Sequence, residues 1–133
     1  MYLLDTNVVS ELRKTKTSNP NVRAWAKNVL TSTLFLSVIT VLELDVGILR
    51  MERRDPSQGA LLRSWLEDHV LPAFDGRILA VDIPIARRSG AIPCSERDAL
   101  IAATALVHSM TVVTRNVSDF EPTGAAILNP WQA

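Results

Sequence analysis

Apolar residues in this chain come in short runs, and the stretches between them repeat with helical spacing. "MYLL", "LFLSVI" (34–39), "RILAV" (77–81), "TVVT" (111–114) and "AAIL" (125–128) each have the length of a strand. "VVSELRK" predicts a small helix directly after the first of them. "NPNVRAWAKNVL" predicts another, with Asn19 as its cap and Pro20 in its first turn. "TVLELDVGILRMERR" is helical through Leu42, Val46 and Leu49, and residues 57–71 set Leu61, Leu62, Trp65 and Leu66 on one side. "IPIARRSG" is a short helix capped by Asp82, and "SERDALIAATALVHS" (95–109) is Ala-rich and apolar enough to be buried. Strands alternating with helices imply a parallel sheet covered on both faces. The expected fold is an α/β three-layer sandwich around a mainly parallel sheet of about five strands, one domain over residues 1–133.

Composition narrows the class. At 133 residues and 47% hydrophobic, the chain fits one domain with a real core. No apolar run approaches the roughly 20 residues that span a bilayer, and Asp5 interrupts the start too early for a signal peptide. One cysteine, Cys94, allows no internal disulfide, which favours a cytoplasmic setting with a half-buried structural thiol. Lys plus Arg equals Asp plus Glu at 14 each, so no net charge announces a polyanion. Local clusters (Arg13, Lys14 and Lys16; Arg50, Arg53 and Arg54; Arg87 and Arg88) leave that partner open.

The acids change the picture. "LLDTNVVSEL" puts Asp5, Thr6 and Asn7 between two apolar runs. A helix needs one N-cap, so three candidates leave Asp5 without an evident structural role. Glu43 is expected in the first turn after strand 34–39, Asp119 in the loop after strand 111–114, and Asp98 in the first turn of the buried helix. In an open parallel sheet all strand C-terminal ends share one edge, and ligands bind there. Asp5, Glu43 and Asp119 therefore converge on one rim, and Asp98 joins them if its helix starts there. Thr40 with Glu43, and Ser95 with Asp98, also read as capping boxes. Capping explains neither Asp5 nor an acid beside "ALIAATA", since a carboxylate near a buried face is costly unless paired or metal-bound. Oxygen-only ligands favour Mg2+ or Mn2+ over Zn2+. His69 and His108 have no partner motif, and no Gly-rich phosphate loop or G-x-S-x-G is present.

Four ordered motifs, "LLDTNVVSEL", "SVITVLEL", "RDALIAATALVHSMTVVTRNVSDF" and "ILNPW", together resemble the PIN-domain ribonucleases, in particular the VapC and FitB-like toxins of bacterial toxin–antitoxin pairs. The resemblance runs from residue 2 to residue 131. It implies a quartet of Asp5, Glu43, Asp98 and Asp119 that holds Mg2+ or Mn2+ for RNA hydrolysis by an activated water. It also implies that Thr6, Asn7, Thr114 and Asn116 line the site, with Arg115 as an RNA contact. Asp5 and Asp98 are the expected direct ligands; Glu43 binds through water or acts as base, and Asp119 serves a second metal or an outer-shell water. A small antitoxin is the implied partner, docking on helix 41–54 or the helix around Trp25, and a homodimer is the implied assembly.

Three other readings of the acids stand beside this one. A haloacid-dehalogenase-like phosphatase wants an Asp two residues after its nucleophile, where this chain has Asn7. A receiver domain wants a lysine after a late strand, where this chain has Arg115. A non-catalytic binding module would use the acidic rim to hold a metal or a partner's arginine.

Overall fold

The computed structural model describes residues 1–132; position 133, the last of the predicted domain, lies outside them. Five strands form one parallel sheet: β1 (Tyr2–Leu4), β2 (Leu34–Ser37), β3 (Ile78–Leu79), β4 (Thr111–Val113) and β5 (Ala126–Leu128), in the order β3-β2-β1-β4-β5. β1 is central, with Leu3 opposite Phe35 on one side and Val112 on the other. The chain moves outward from β1 through β2 to β3, then returns to lay β4 and β5 on the other side. The order reverses between β1 and β4, and at such a switch point the loops part and leave a crevice beyond the strand ends.

Helices α1 (Thr6–Arg13), α2 (Pro20–Asn28), α3 (Val38–Arg54), α4 (Pro56–Trp65), α5 (Leu71–Ala73), α6 (Ile83–Ser89), α7 (Glu96–His108) and α8 (Val117–Phe120) connect the strands. One core cluster gathers Leu4, Val8, Leu36, Leu44, Ile48 and Val113, and the other gathers Leu3, Ile101, Ala102, Val112 and Phe120. Leu3 and Leu4 fall in different clusters because successive strand side chains point to opposite faces. The three-layer sandwich expected from the alternation of elements is the architecture observed. Ala-rich α7 is buried through Ala99, Ile101, Ala102, Ala103 and Ala105, as its composition predicts. Among the described residues no helix is long and apolar enough to cross a membrane.

Several local expectations give way. The apolar run 34–39 stays extended only to Ser37, whose hydroxyl accepts from the Ile39 N–H at 3.0 Å and starts α3 there. The capping box from Thr40 to Glu43 is therefore not formed. Thr40 is buried inside the helix, with its hydroxyl donating to the Leu4 carbonyl at 3.5 Å, and Glu43 lies in the second turn. Ser95 takes the N-cap position of α7, but its side chain makes no capping bond. The predicted helix 57–71 breaks at Leu66–Val70, a π-helical turn, before the short α5 that Pro72 opens.

On α3 the core takes Leu44 and Ile48, while Leu42 and Leu49 are each 46% exposed. Trp25 on α2 turns inward, meeting the Tyr2 ring edge-on at 5.4 Å, so that ring is no free docking surface. Asn19 and Asp82 cap their helices as expected. Two contacts fix α4 against α3. Arg63 pairs with Asp45 and with Glu52 at 3.1 Å, and Gly59 lies so close to Glu52 that a Cβ would stand 2.6 Å from its Cα.

Candidate active site

Asp5 follows β1 directly and is only 5% exposed. Its backbone N–H still belongs to the sheet, donating to the Val113 carbonyl at 2.9 Å. Extended dihedrals (φ −72°, ψ 160°) then turn its side chain onto the start of α1, where Oδ1 accepts from the Thr6 N–H at 2.8 Å. Asp5 is thus the N-cap of α1, a structural role the run of three capping residues had concealed. That role occupies one carboxylate oxygen. The other, Oδ2, accepts from the Thr114 hydroxyl at 2.8 Å and from Asn7 Nδ2 at 3.2 Å.

Thr114 follows β4, fully buried, so this bond spans the switch point. Thr114 Oγ1 also accepts from the Asn116 N–H at 2.9 Å and from Asn7 Nδ2 at 3.3 Å, while Asn7 Oδ1 accepts from the Arg115 N–H at 3.2 Å. Asn7 therefore clips the loop after β4 onto α1. The amide it donates to Asp5 is not the acid–base group a haloacid-dehalogenase phosphatase needs there. On the other side, the Thr6 hydroxyl donates to Glu43 Oε1 at 2.6 Å and holds that half-buried carboxylate facing the strand ends. Arg97 Nη1 stands 3.9 Å from Glu43 Oε2. Arg97 was not expected here; its place beside Asp98 at the start of α7 was the one available signal.

Burial pushes Asp5 above the ordinary aspartate range, and the charges of Glu43 and Asp98 add to it. Hydrogen bonds from Thr114 and the Thr6 backbone oppose that rise by favouring the ionised form. Burial likewise pushes the Cys94 thiol up, with Asp98 and Asp119 adding. Asp98 is common to both neighbourhoods and half-buried, and Asp119 is exposed on α8 rather than in a plain loop. Glu43 and Asp98 are near enough to Asp5 to act on its charge, Asp119 shares only the Cys94 neighbourhood with Asp98, and among the described residues no three of these groups stand within reach of a single ion. The donor chemistry suits a smaller set. Mg2+ takes oxygen ligands, keeps several waters and is commonly held by one or two carboxylates, a requirement that buried Asp5 with a neighbouring carboxylate, Asp98 or Glu43, fits. His69 and His108 are both exposed, and neither neighbours these acids among the described hydrogen bonds.

A family profile described as PIN domain matches residues 2–122. The chain belongs to the PIN-domain family. It is 39% identical to the plasmid stability protein StbB of Pseudomonas syringae pv. tomato, covering 100% of both chains. It is 39% identical to VapC ribonuclease Y4jK of Sinorhizobium fredii (99% of each) and 37% to toxin FitB of Neisseria gonorrhoeae (98% and 99%). Among solved structures, FitAcB from Neisseria gonorrhoeae superposes with a TM-score of 0.91 at 37% identity over 100% of both chains. FitAB bound to a DNA fragment superposes at 0.89 and 36% identity, covering 98% of this PIN domain and 96% of that chain.

Proposed function

We propose that this PIN domain is a ribonuclease and the toxin of a toxin–antitoxin pair, hydrolysing RNA phosphodiesters at Asp5, Glu43, Asp98 and Asp119 with Mg2+ or Mn2+. The observation that carries the proposal is Asp5, a carboxylate 5% exposed at the switch point of the sheet and held by three donors. Relatives that align end to end and bear the names ribonuclease and toxin support the reading. When bound, the divalent cation supplies a water of lowered pKa and charge to offset the phosphorane-like transition state.

The chain's own groups do the rest. Hydrogen bonds from Thr114 and the Thr6 N–H favour the ionised form of Asp5 and oppose the effect of its burial. The Thr6 hydroxyl aims Glu43, which receives a proton or orients a water, while Arg97 limits where that carboxylate swings. Arg115, exposed and with its guanidinium 5.3 Å from the Trp131 ring centre, meets the RNA backbone. Asn7 and Asn116 hold its loop.

The partner is a small antitoxin whose arginine makes bidentate bonds to the carboxylates. Solved complexes of relatives such as FitAB support the partner itself. On α3 the exposed Leu42 and Leu49 leave an apolar face for that antitoxin, and a homodimer is the assembly. The test is incubation of labelled RNA with purified protein and Mg2+ or Mn2+, against EDTA and against Asp5→Asn. Cleavage leaving 5′-phosphate and 3′-hydroxyl ends, lost in EDTA and in the variant, is expected. Equal cleavage by Asp5→Asn removes the assignment.

A further inference from the structure

A groove leaves the acid site between α1, α3 and α4. It opens at Thr6 and Glu43, passes Ser10 and Gly47, and closes at Arg13 and Trp65, enclosing about 300 Å³. Gly47 is its least explained residue. It lies inside the 17-residue α3, where glycine costs about 1 kcal/mol relative to alanine. Packing gives no reason for it, because a Cβ there would meet nothing within 4 Å. Gly47 is one helical turn beyond Glu43 and so shares its face. The room kept over it is room for something outside the chain to approach closely, beside the candidate catalytic acids.

The far end indicates what that is. The Arg13 guanidinium stands 5.9 Å from the centre of the Trp65 ring, and among the described residues it pairs with no carboxylate. Trp65 is half-buried, with one part of its ring packed on the core and the rest lining the groove. The π-helical turn Leu66–Val70 begins at the next residue; such turns are rare and frequent at functional sites. A guanidinium that lies over an aromatic face and has no carboxylate partner, in a groove with an apolar floor of Leu44 and Leu62, offers a flat surface on which a base stacks and an N–H edge that gives a phosphate its counter-charge.

We propose that the groove from Glu43 to Trp65 is a nucleotide subsite, holding one residue of single-stranded RNA next to the cleaved phosphodiester, its base stacked on the Arg13 guanidinium that Trp65 backs and its phosphate at the edge of that guanidinium. The proposal rests on the ribonuclease reading above and adds to it the place where substrate is gripped. Sequence preference at that nucleotide is weak, because every base has a face to stack.

The experiment uses the full chain and short single-stranded RNA oligonucleotides in which one nucleotide at a time is made abasic. Gly47→Leu fills the groove from an exposed helix position whose added Cβ meets nothing within 4 Å; Trp65→Leu and Arg13→Gln remove the backing of the stack and the charge. Gly47→Leu and Trp65→Leu are expected to raise KM about tenfold, a stacked base's share of binding, with kcat little changed. One abasic position beside the cut is expected to weaken wild type and to cost Trp65→Leu nothing further. Arg13→Gln is expected to flatten the salt dependence of RNA binding. Unchanged KM in Gly47→Leu, or an abasic penalty that persists in Trp65→Leu, overturns the subsite. So does a Gly47→Leu variant that cleaves normally but no longer co-purifies with the small partner, since the groove then holds protein. If wild type cleaves no RNA, the ribonuclease reading is what fails. Anisotropy of labelled RNA in EDTA then judges the groove alone, and equal binding by wild type and Gly47→Leu rejects it.

Discussion

Thr114 Oγ1 donates to Asp5 Oδ2 at 2.8 Å, joining the ends of the two strands between which the sheet reverses its order. One hydroxyl thus serves as donor to the buried acid and as acceptor for Asn7 and the Asn116 N–H. Thr114→Val keeps the shape and strands those partners in a buried site. It is expected to destabilise the fold by about 1–3 kcal/mol and to shift the acid limb of RNA cleavage to higher pH. Thr114→Ser is expected to restore both. Thermal melts and pH–rate profiles of the two variants check this, and an unshifted profile in Thr114→Val detaches the hydroxyl from Asp5.

Asp5 makes stability depend on pH in a definite direction. Burial raises its folded pKa above the ordinary value of 3.8. The folded state therefore holds its proton in a window where the unfolded chain has released it, and stability falls as pH rises through that window. In EDTA, wild type is expected to lose stability from pH 3.8 upward until the folded group has ionised. Asp5→Asn removes this segment of the curve while its amide oxygen still caps α1. Urea unfolding of both proteins across acid pH decides it; parallel curves would show that Asp5 is not the group responsible.

Metal should reverse part of that penalty. A ligand that binds only the folded form adds about 2.7 kcal/mol at 100 times its Kd. Wild type is expected to melt higher in millimolar Mg2+ or Mn2+ than in EDTA. Asp98→Asn is expected to melt above wild type in EDTA, having lost one of the like charges near Asp5, and to lose most of the metal response. It is also expected to lose RNA cleavage. An intact metal response in Asp98→Asn would take Asp98 out of the site.

Two helical glycines are expected to respond with opposite sign. At Gly47 an added Cβ meets nothing within 4 Å, so Gly47→Ala should stabilise by about 0.4–1 kcal/mol through helix propensity and a stiffer unfolded chain. At Gly59 the added Cβ would stand 2.6 Å from Glu52 Cα, so Gly59→Ala must push α4 off α3 and should cost about 1–3 kcal/mol. Denaturant melts of both variants test the pair, and a stable Gly59→Ala would mean that the two helices are less tightly apposed than described.

Periodicity alone determined a good deal. Short apolar runs alternating with helical spacings fixed a parallel sheet with covered faces, because neighbouring residues on one strand or one helix answer to local sterics and to burial. The same logic put Asp5, Glu43 and Asp119 at strand C-terminal ends, since in a parallel sheet those ends share an edge whatever the side chains do. Local competition hid other features. Ser37 and Thr40 are both capping residues, and only the packing of Thr40 under the Leu4 carbonyl made Ser37 the cap and left Glu43 free for the site. Leu42 and Leu49 fit a helical stripe as well as Leu44 and Ile48 do, and only the position of the sheet selected the latter for the core. The long-range holds on Asp5 and Glu43 were decided by tertiary structure. Thr114 reaches Asp5 across 109 residues and Thr6 reaches Glu43 across 37, and the open space over Gly47 exists only once α1, α3 and α4 are in place. A hydrogen bond or a void of this kind depends on where distant segments come to rest, and no window of neighbouring residues carries that information.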